Sequence, residues 1–193
     1  MVVQRAMMVM TLEDSDQPDE TLVAGAIAGD RAAFAALVER HYDYVYRVAY
    51  RLAGNRADAE DIAQEVCVRL GRAIRGFKGA GRFTTWLYAL TLNAVRDMAR
   101  KGAREARKAK EYGAQALIDG EVAEEPDDAA GRLWAAVRQL PDKQRDAVTL
   151  VYGEGLSHAD AADVMGLAEP TVSWHVHEAK KRLKQMMASA GDE

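Results

Sequence analysis

The chain has 193 residues, a hydrophobic fraction of 49%, only 7% aromatics and a net charge of −4. That length allows one medium domain or two small ones, and the apolar content supplies a core. The single cysteine, Cys67, excludes an internal disulfide framework, which suits a reducing interior, and its apolar helical neighbours read as core surroundings. No run of about 18 apolar residues exists, so a membrane span is excluded.

Charge is unevenly placed. Residues 69–110 hold twelve Lys or Arg against Asp97 and Glu105, whereas 111–131 hold seven acids and no base. With a screening length of about 8 Å at cellular salt, the local patch decides what binds it, not the overall sum. The high content of Ala, Leu, Arg, Glu and Gln favours helix, and period-2 alternation is scarce.

Residues 1–20 read as a mobile tail, mildly apolar and then acidic, unlike a signal peptide, with Met7, Met8 or Met10 as possible starts. A short helix is expected over 21–28. Asp30 can cap a longer one running towards Leu52, with Phe34, Leu37, Val38, Val45, Val48, Ala49 and Leu52 on one face and Gly54-Asn55 ending it. The next helix runs from about Asn55–Asp58 to Arg75, with Ile62, Val66, Leu70 and Ile74 inward and an acidic outer surface of Asp58, Glu60, Asp61, Gln64 and Glu65. That surface would repel DNA and suits a protein partner.

Gly76, Gly79 and Gly81 break the chain around Phe77. Thr84 or Thr85 then caps a helix through Arg100, with Leu87, Leu90, Ala94 and Met98 inward. Phe77, Phe83, Trp86 and Tyr88 are interleaved with the cations here. Rings that stack on bases beside cations that track a backbone are what single-stranded DNA binding requires. Asn93, an amide able to donate to and accept from a base edge, lies on the same helix.

Residues 111–128 read as an acidic linker that can fold back on the basic segment. Taken as 111–131, where the helical pattern breaks, about 21 extended residues reach at most roughly 70 Å, and a relaxed coil averages about 25 Å.

In the second half Leu133, Val137 and Leu140 face inward. Pro141-Asp142 opens the next helix, with Val148 and Val151 buried and Gly153 closing it. Ser157 caps a short helix with Asp160 as its partner, Gly166 stops it, and Pro170 opens the last helix. Short helix, glycine turn and longer helix make a helix-turn-helix. Val172, Val176, Ala179, Leu183 and Met186 form the apolar stripe of the last helix. Ser173, Trp174, His177, Glu178 and Lys181 lie opposite, flanked by His175 and Lys180. His175 and His177, two apart, fall on different helix faces, so no metal site is expected. Neither a phosphate-binding glycine loop nor a nucleophile elbow occurs, which argues against an enzyme.

These motifs, in this order, resemble bacterial RNA polymerase sigma factors of the extracytoplasmic-function group. The run Asp58-Ala59-Glu60-Asp61-Ile62-Ala63-Gln64-Glu65-Val66 resembles their polymerase-binding helix. Phe83-Thr84-Thr85-Trp86-Leu87-Tyr88-Ala89-Leu90-Thr91-Leu92-Asn93 looks like their promoter-melting segment. Leu140-Pro141, Gln144-Arg145, Gly155-Leu156-Ser157, Thr171-Val172-Ser173 and Ala179-Lys180-Lys181-Arg182-Leu183 are similar to their upstream-element reader.

The resemblance implies an all-α protein of two helical domains: a region-2-like domain at 21–110, and a region-4-like domain at 129–193 beyond the linker. Asp61, Gln64, Glu65 and Arg69 would grip core RNA polymerase. Phe77, Arg82, Trp86, Tyr88 and Asn93 would engage a base flipped from the minus-ten element of promoter DNA, with Arg96, Arg100 and Lys101 on phosphates. Thr171, Ser173, Trp174, His175 and His177 would face the minus-thirty-five element, with Lys180 and Lys181 on its backbone. The family's usual Arg or Lys around positions 173 to 175, and its Arg at 178, are absent, which removes the commonest base contact. An anti-sigma partner and a cytoplasmic setting are expected, and no cofactor. The rival reading is a free-standing helix-turn-helix regulator that dimerises on a palindrome.

Overall fold

The computed structural model describes residues 17–79, 81–111 and 129–189. Every regular element among them is helical. The described residues divide into two compact units, the first within 1–50 and 56–119 and the second within 51–55 and 120–193.

The first unit is built on α1 (Asp19–Ala28), α2 (Arg31–Ala53, whose last three residues count with the second unit), α3 (Arg56–Ala73), a 3₁₀ turn (Ile74–Gly76) and α4 (Phe83–Glu111). Asp30 caps α2, its Oδ1 accepting from the Ala32 and Ala33 amides at 2.8 and 3.3 Å. Leu37, Val45, Val48, Ala49 and Leu52 are buried along α2, and Ile62, Val66 and Leu70 along α3, as the three- and four-residue spacings require. Phe34 and Val38 are half-buried. Helix α3 packs on α4, and α1 packs on the 3₁₀ turn.

Four expectations need correction in this unit. Residues 17–20 are not tail: α1 begins at Asp19, whose carboxylate meets Arg40 Nη1 and His41 Nε2, each at 2.9 Å. Neither Thr84 nor Thr85 caps α4, which already includes Phe83; the Arg82 carbonyl accepts the Thr85 and Trp86 amides instead. Helix α4 also continues past Arg100 to Glu111, because the run after Arg100 is, apart from Gly102, made of strong helix formers: Ala, Arg, Lys and Glu. Finally, its inward face is Phe83, Leu87, Tyr88, Thr91, Leu92 and Ala94, whereas Leu90 and Met98 are only half-buried. The face is wide because α4 is covered along two adjacent rows, and the second row takes in Tyr88.

The second unit contains α5 (Ala129–Arg138), α6 (Asp142–Val148), a π turn (Thr149–Gly153), α7 (His158–Met165) and α8 (Glu169–Ser189). Helix α8 packs against α5, α6 and α7. Ala136, Val137, Leu140, Val148, Ala179 and Leu183 form one buried cluster, with Trp134 and Met186 partly buried against it. Leu133, expected inward, is exposed. Trp134 takes the inner position because its larger apolar surface gains more from burial.

The π turn produces a similar one-residue shift. The Glu154 amide donates to the Thr149 carbonyl five residues back. That wider turn rotates the positions after Val148, so Leu150 is fully buried while Val151 is half-exposed. The turn between α7 and α8 follows the sequence signals. Ser157 Oγ accepts from the Asp160 amide at 3.1 Å, and Gly166 adopts the left-handed conformation, φ +62°, that a side chain would disfavour. Helix α8 opens at Glu169, with Pro170 second. The acidic linker, apart from Glu111 in α4, lies outside the described residues.

Candidate nucleic-acid and polymerase interfaces

On α3 the buried set Ala59, Ile62, Ala63, Val66 and Leu70 leaves Asp58, Asp61, Gln64, Glu65 and Val68 exposed on the other side. Val68 is 53% exposed, an apolar spot beside carboxylates. Arg69 is committed within the unit: its Nε donates to Glu65 at 2.7 Å and its Nη1 to Asp97 on α4 at 2.6 Å. Asp97 also accepts from Arg100 at 2.5 Å. These bonds to Arg100 and Arg69 hold the Asp97 carboxyl below its ordinary pKa of 3.8. Exposed pairs of this kind add little stability. Their effect is to tie the acidic helix to the basic one.

The 3₁₀ turn, the glycine loop and the start of α4 bring three rings together. Phe77 lies 5.7 Å from Phe83 and 5.3 Å from Trp86, and Phe83 lies 5.8 Å from Trp86, measured between centroids. His41 adds an edge contact to Phe83 at 5.2 Å. A cavity of about 260 Å³ opens between Phe77, Lys78, Arg82, Thr85 and Trp86. Phe77 and Trp86 are half-buried, Arg82 exposed. Asn93 is exposed seven residues after Trp86, and Arg100 seven after that. At 1.5 Å per residue and 3.6 per turn, the three form one line along α4, about 10 Å between members. Lys101 is exposed and lies 4.0 Å from Glu105, and Arg96 is half-buried.

Tyr88 departs from the expectation. Its ring is 0% exposed, on the inner face of α4, so it cannot stack on a base in this conformation. Sequence reasoning placed Phe83 among the aromatics but missed its role as the central ring of the cluster. It also missed Lys78 on the pocket rim. The signal for both was present: a lone Lys between glycines, and an aromatic four residues before Leu87 on the inner face.

In the second unit Val172, Val176, Ala179 and Leu183 hold α8 down, leaving Thr171, Trp174, His177, Lys180 and Lys181 outward. Trp174 is 56% exposed. Ser173 and His175 are half-buried rather than open. Ser173 Oγ lies 2.7 Å from His158 Nδ1, a link from α8 to α7 that the sequence did not reveal. The His175 ring meets Trp174 edge-on at 5.0 Å. Lys180 Nζ donates to the Tyr152 hydroxyl at 3.3 Å and sits 5.5 Å from its ring centre, so an exposed tyrosine braces one cation of this face.

Cys67 is half-buried and burial pushes its thiol pKa up, which disfavours the reactive thiolate. Among the described residues no group of three His, Cys, Asp or Glu could hold a metal ion, and no helix is long and apolar enough to cross a membrane.

A helix with an exposed acidic face, an aromatic pocket rimmed by cations and a helix-turn-helix with a basic outer face are the features of a helical DNA-binding protein. The family model for Sigma-70 region 2 matches residues 37–105, and that for Sigma-70, region 4 matches residues 130–183. The chain is 36% identical to the ECF RNA polymerase sigma factor SigE of Mycolicibacterium smegmatis, over 94% of this chain and 73% of that relative. It is 31% identical to SigW of Bacillus subtilis, over 82% and 91%. In fold it is similar to the sigma factor RpoE of Bartonella quintana, solved with the anti-sigma factor NepR, at a TM-score of 0.65 and 22% identity, covering 80% of this chain and 96% of that one. CnrH, solved with the cytosolic domain of CnrY, gives the same TM-score at 24% identity, covering 89% and 97%.

The chain belongs to the ECF RNA polymerase sigma factors. It is a transcription initiation factor that binds core RNA polymerase and directs it to promoters, which sets aside the free-standing regulator.

Proposed function

We propose that the two surfaces divide promoter recognition as follows. The exposed face of α3, with Asp61, Gln64 and Glu65, docks on core polymerase, and Arg69 orients Glu65 from within. The pocket between Phe77, Arg82 and Trp86 takes a base flipped out of the minus-ten element, Asn93 reads an adjacent base edge, and Arg96, Arg100 and Lys101 hold phosphates. Tyr88, enclosed in the core, plays no part in stacking. In the second unit Thr171, Trp174 and His177 meet base edges of the minus-thirty-five element, while Lys180 and Lys181 meet phosphates. Ser173 and His175 support this face from its flanks.

The observation that carries this reading is the ring cluster with its cationic rim. Stacking supplies sequence-tolerant affinity, and the cations follow the backbone. The same α3 face, with Val68 at its C-terminal end, suits an anti-sigma partner that competes with polymerase. The protein acts in the cytoplasm, with no catalytic site and no cofactor of its own.

The test is run-off transcription with core polymerase on promoter libraries, comparing the wild type with Asn93→Ala. The substitution should relax preference at one base of the melting element and cost about 1–3 kcal/mol there. An unchanged base profile across that element would refute the role given to Asn93.

A further inference from the structure

The acidic face of α3 and the basic face of α4 meet in a row of four alternating charges: Glu65, Arg69, Asp97 and Arg100. Glu65 accepts from Arg69 Nε at 2.7 Å, one turn along α3. Arg69 Nη1 crosses to α4 and donates to Asp97 Oδ2 at 2.6 Å. The other oxygen, Asp97 Oδ1, accepts from Arg100 Nη2 at 2.5 Å. Both inner members are therefore shared. Arg69 divides its guanidinium between two carboxylates, and Asp97 divides its carboxylate between two guanidinium groups.

The ends of the row differ from its middle. The Arg69 side chain is 28% exposed, against 50% for Glu65 and 70% for Arg100, so partners reach the two ends most readily. The bonds to Glu65 and Asp97 raise the Arg69 pKa against the opposing effect of burial, and those to Arg100 and Arg69 lower that of Asp97, so both shared groups stay charged. Pairs this open to water are weak. A phosphate, which can take two N–H bonds from one guanidinium, is therefore able to displace Asp97 from Arg100. The bonds also answer one another. A cation placed at Glu65 weakens its hold on Arg69, Arg69 turns more fully to Asp97, and Asp97 loosens its hold on Arg100. A phosphate at Arg100 sends the same changes back the other way.

We propose that Glu65, Arg69 and Asp97 form a relay that couples the polymerase-docking face of α3 to the phosphate-binding side of α4. In the free chain Asp97 holds Arg100 back from DNA, and docking at Glu65 releases it. Asp97 is a positioning residue: it sets the availability of Arg100 without touching polymerase or DNA itself. Linkage makes the effect reciprocal, so DNA held by Arg100 tightens the grip of α3 on polymerase by the same factor. The inference rests on the reading that α3 docks on core polymerase and that Arg100 holds a phosphate.

The test measures binding of fork-junction DNA carrying the minus-ten element, over a series of salt concentrations, by the full chain alone and by holoenzyme. Asp97→Asn should raise the affinity of the free chain roughly three- to fivefold, and that of holoenzyme by no more than about twofold. In the free chain it should also steepen the salt dependence by one phosphate contact, a slope change of about 0.7–0.9. Arg100→Gln should cancel both gains. Glu65→Gln, which imitates docking, should raise the affinity of the free chain in the same direction, and add nothing once Asp97→Asn is present. If Asp97→Asn helps the free chain and holoenzyme equally, or still helps with Arg100→Gln in place, Asp97 is a repelling charge and the relay does not exist. If Glu65→Gln leaves DNA binding by the free chain unchanged, the link through Arg69 is absent and the relay fails. Two other results would sink the underlying reading instead: an unchanged holoenzyme salt dependence for Arg100→Gln alone, or wild-type affinity of Glu65→Gln for core polymerase.

Discussion

The binding surface proposed for the first unit is a cavity walled by mutually packed rings, whereas that proposed for the second is the open side of one helix. Phe77, Phe83 and Trp86 hold one another at 5.3 to 5.8 Å and are tied through His41 to α2. Trp174 on α8 is instead more than half exposed, with His175 as its ring neighbour. On the proposed assignment, the difference follows the state of the DNA each unit would meet. A base taken out of its stack needs an enclosed apolar partner to replace its neighbours. A base within the duplex is read from its groove edge, and a helix placed there needs only outward side chains.

The largest expected effects test whether the pocket depends on the core beneath it. Leu87→Ala removes a fully buried side chain from the inner face of α4. It should cost about 2–5 kcal/mol in chemical denaturation and abolish promoter opening. Loss of opening without loss of stability would show that Leu87 acts by some other route.

The next pair addresses the comparison directly. Trp86→Ala should weaken binding of holoenzyme to single-stranded minus-ten DNA by about 1–3 kcal/mol and leave selection of the upstream duplex unchanged. Trp174→Ala should do the reverse, changing upstream selection and sparing the single strand. If either variant damaged both activities equally, the assignment of one surface to each DNA state would break down.

Ser157→Ala removes the cap that sets the entry of α7 into the helix-turn-helix, and should cost about 1 kcal/mol in thermal unfolding. A melting temperature equal to wild type would mean that Asp160 alone suffices at that terminus. The smallest effect concerns Asp19. Because its folded pKa is depressed, the stabilisation it gives is complete above 3.8 and fades as pH falls through the lower folded value. Asp19→Asn should therefore be less stable than wild type near neutrality, with the gap closing in acid. A gap constant with pH would exclude the Arg40 and His41 contacts as its source.

Some features were legible because their causes are local. Ser157 with Asp160, Gly166 at φ +62° and Asp30 ahead of α2 are readable from the residues alone, since each bond spans two or three positions. The exposed acids of α3 followed from a clear apolar period on its other side. Tyr88 and Leu133 were misplaced for a common reason. A helical period fixes a stripe only to within about one residue, or 100°, and the neighbours that settle the choice come from elsewhere in the chain. The π turn after Val148 likewise rotated Leu150 inward against the regular spacing.

The sequence by itself determined that the chain is helical, that Gly166 stops α7, that its charges fall in opposed blocks, and which family it joins. All of these follow from propensity, capping chemistry and residue order. Only the tertiary structure decided that Arg69 is bound to Glu65 and Asp97, that Tyr88 belongs to the core, and that α1 lies against the glycine loop to enclose a second cavity. Those outcomes depend on contacts between residues far apart in the chain, such as Asp19 with His41 or Arg69 with Asp97. No local pattern encodes which distant groups will meet once the apolar faces have packed.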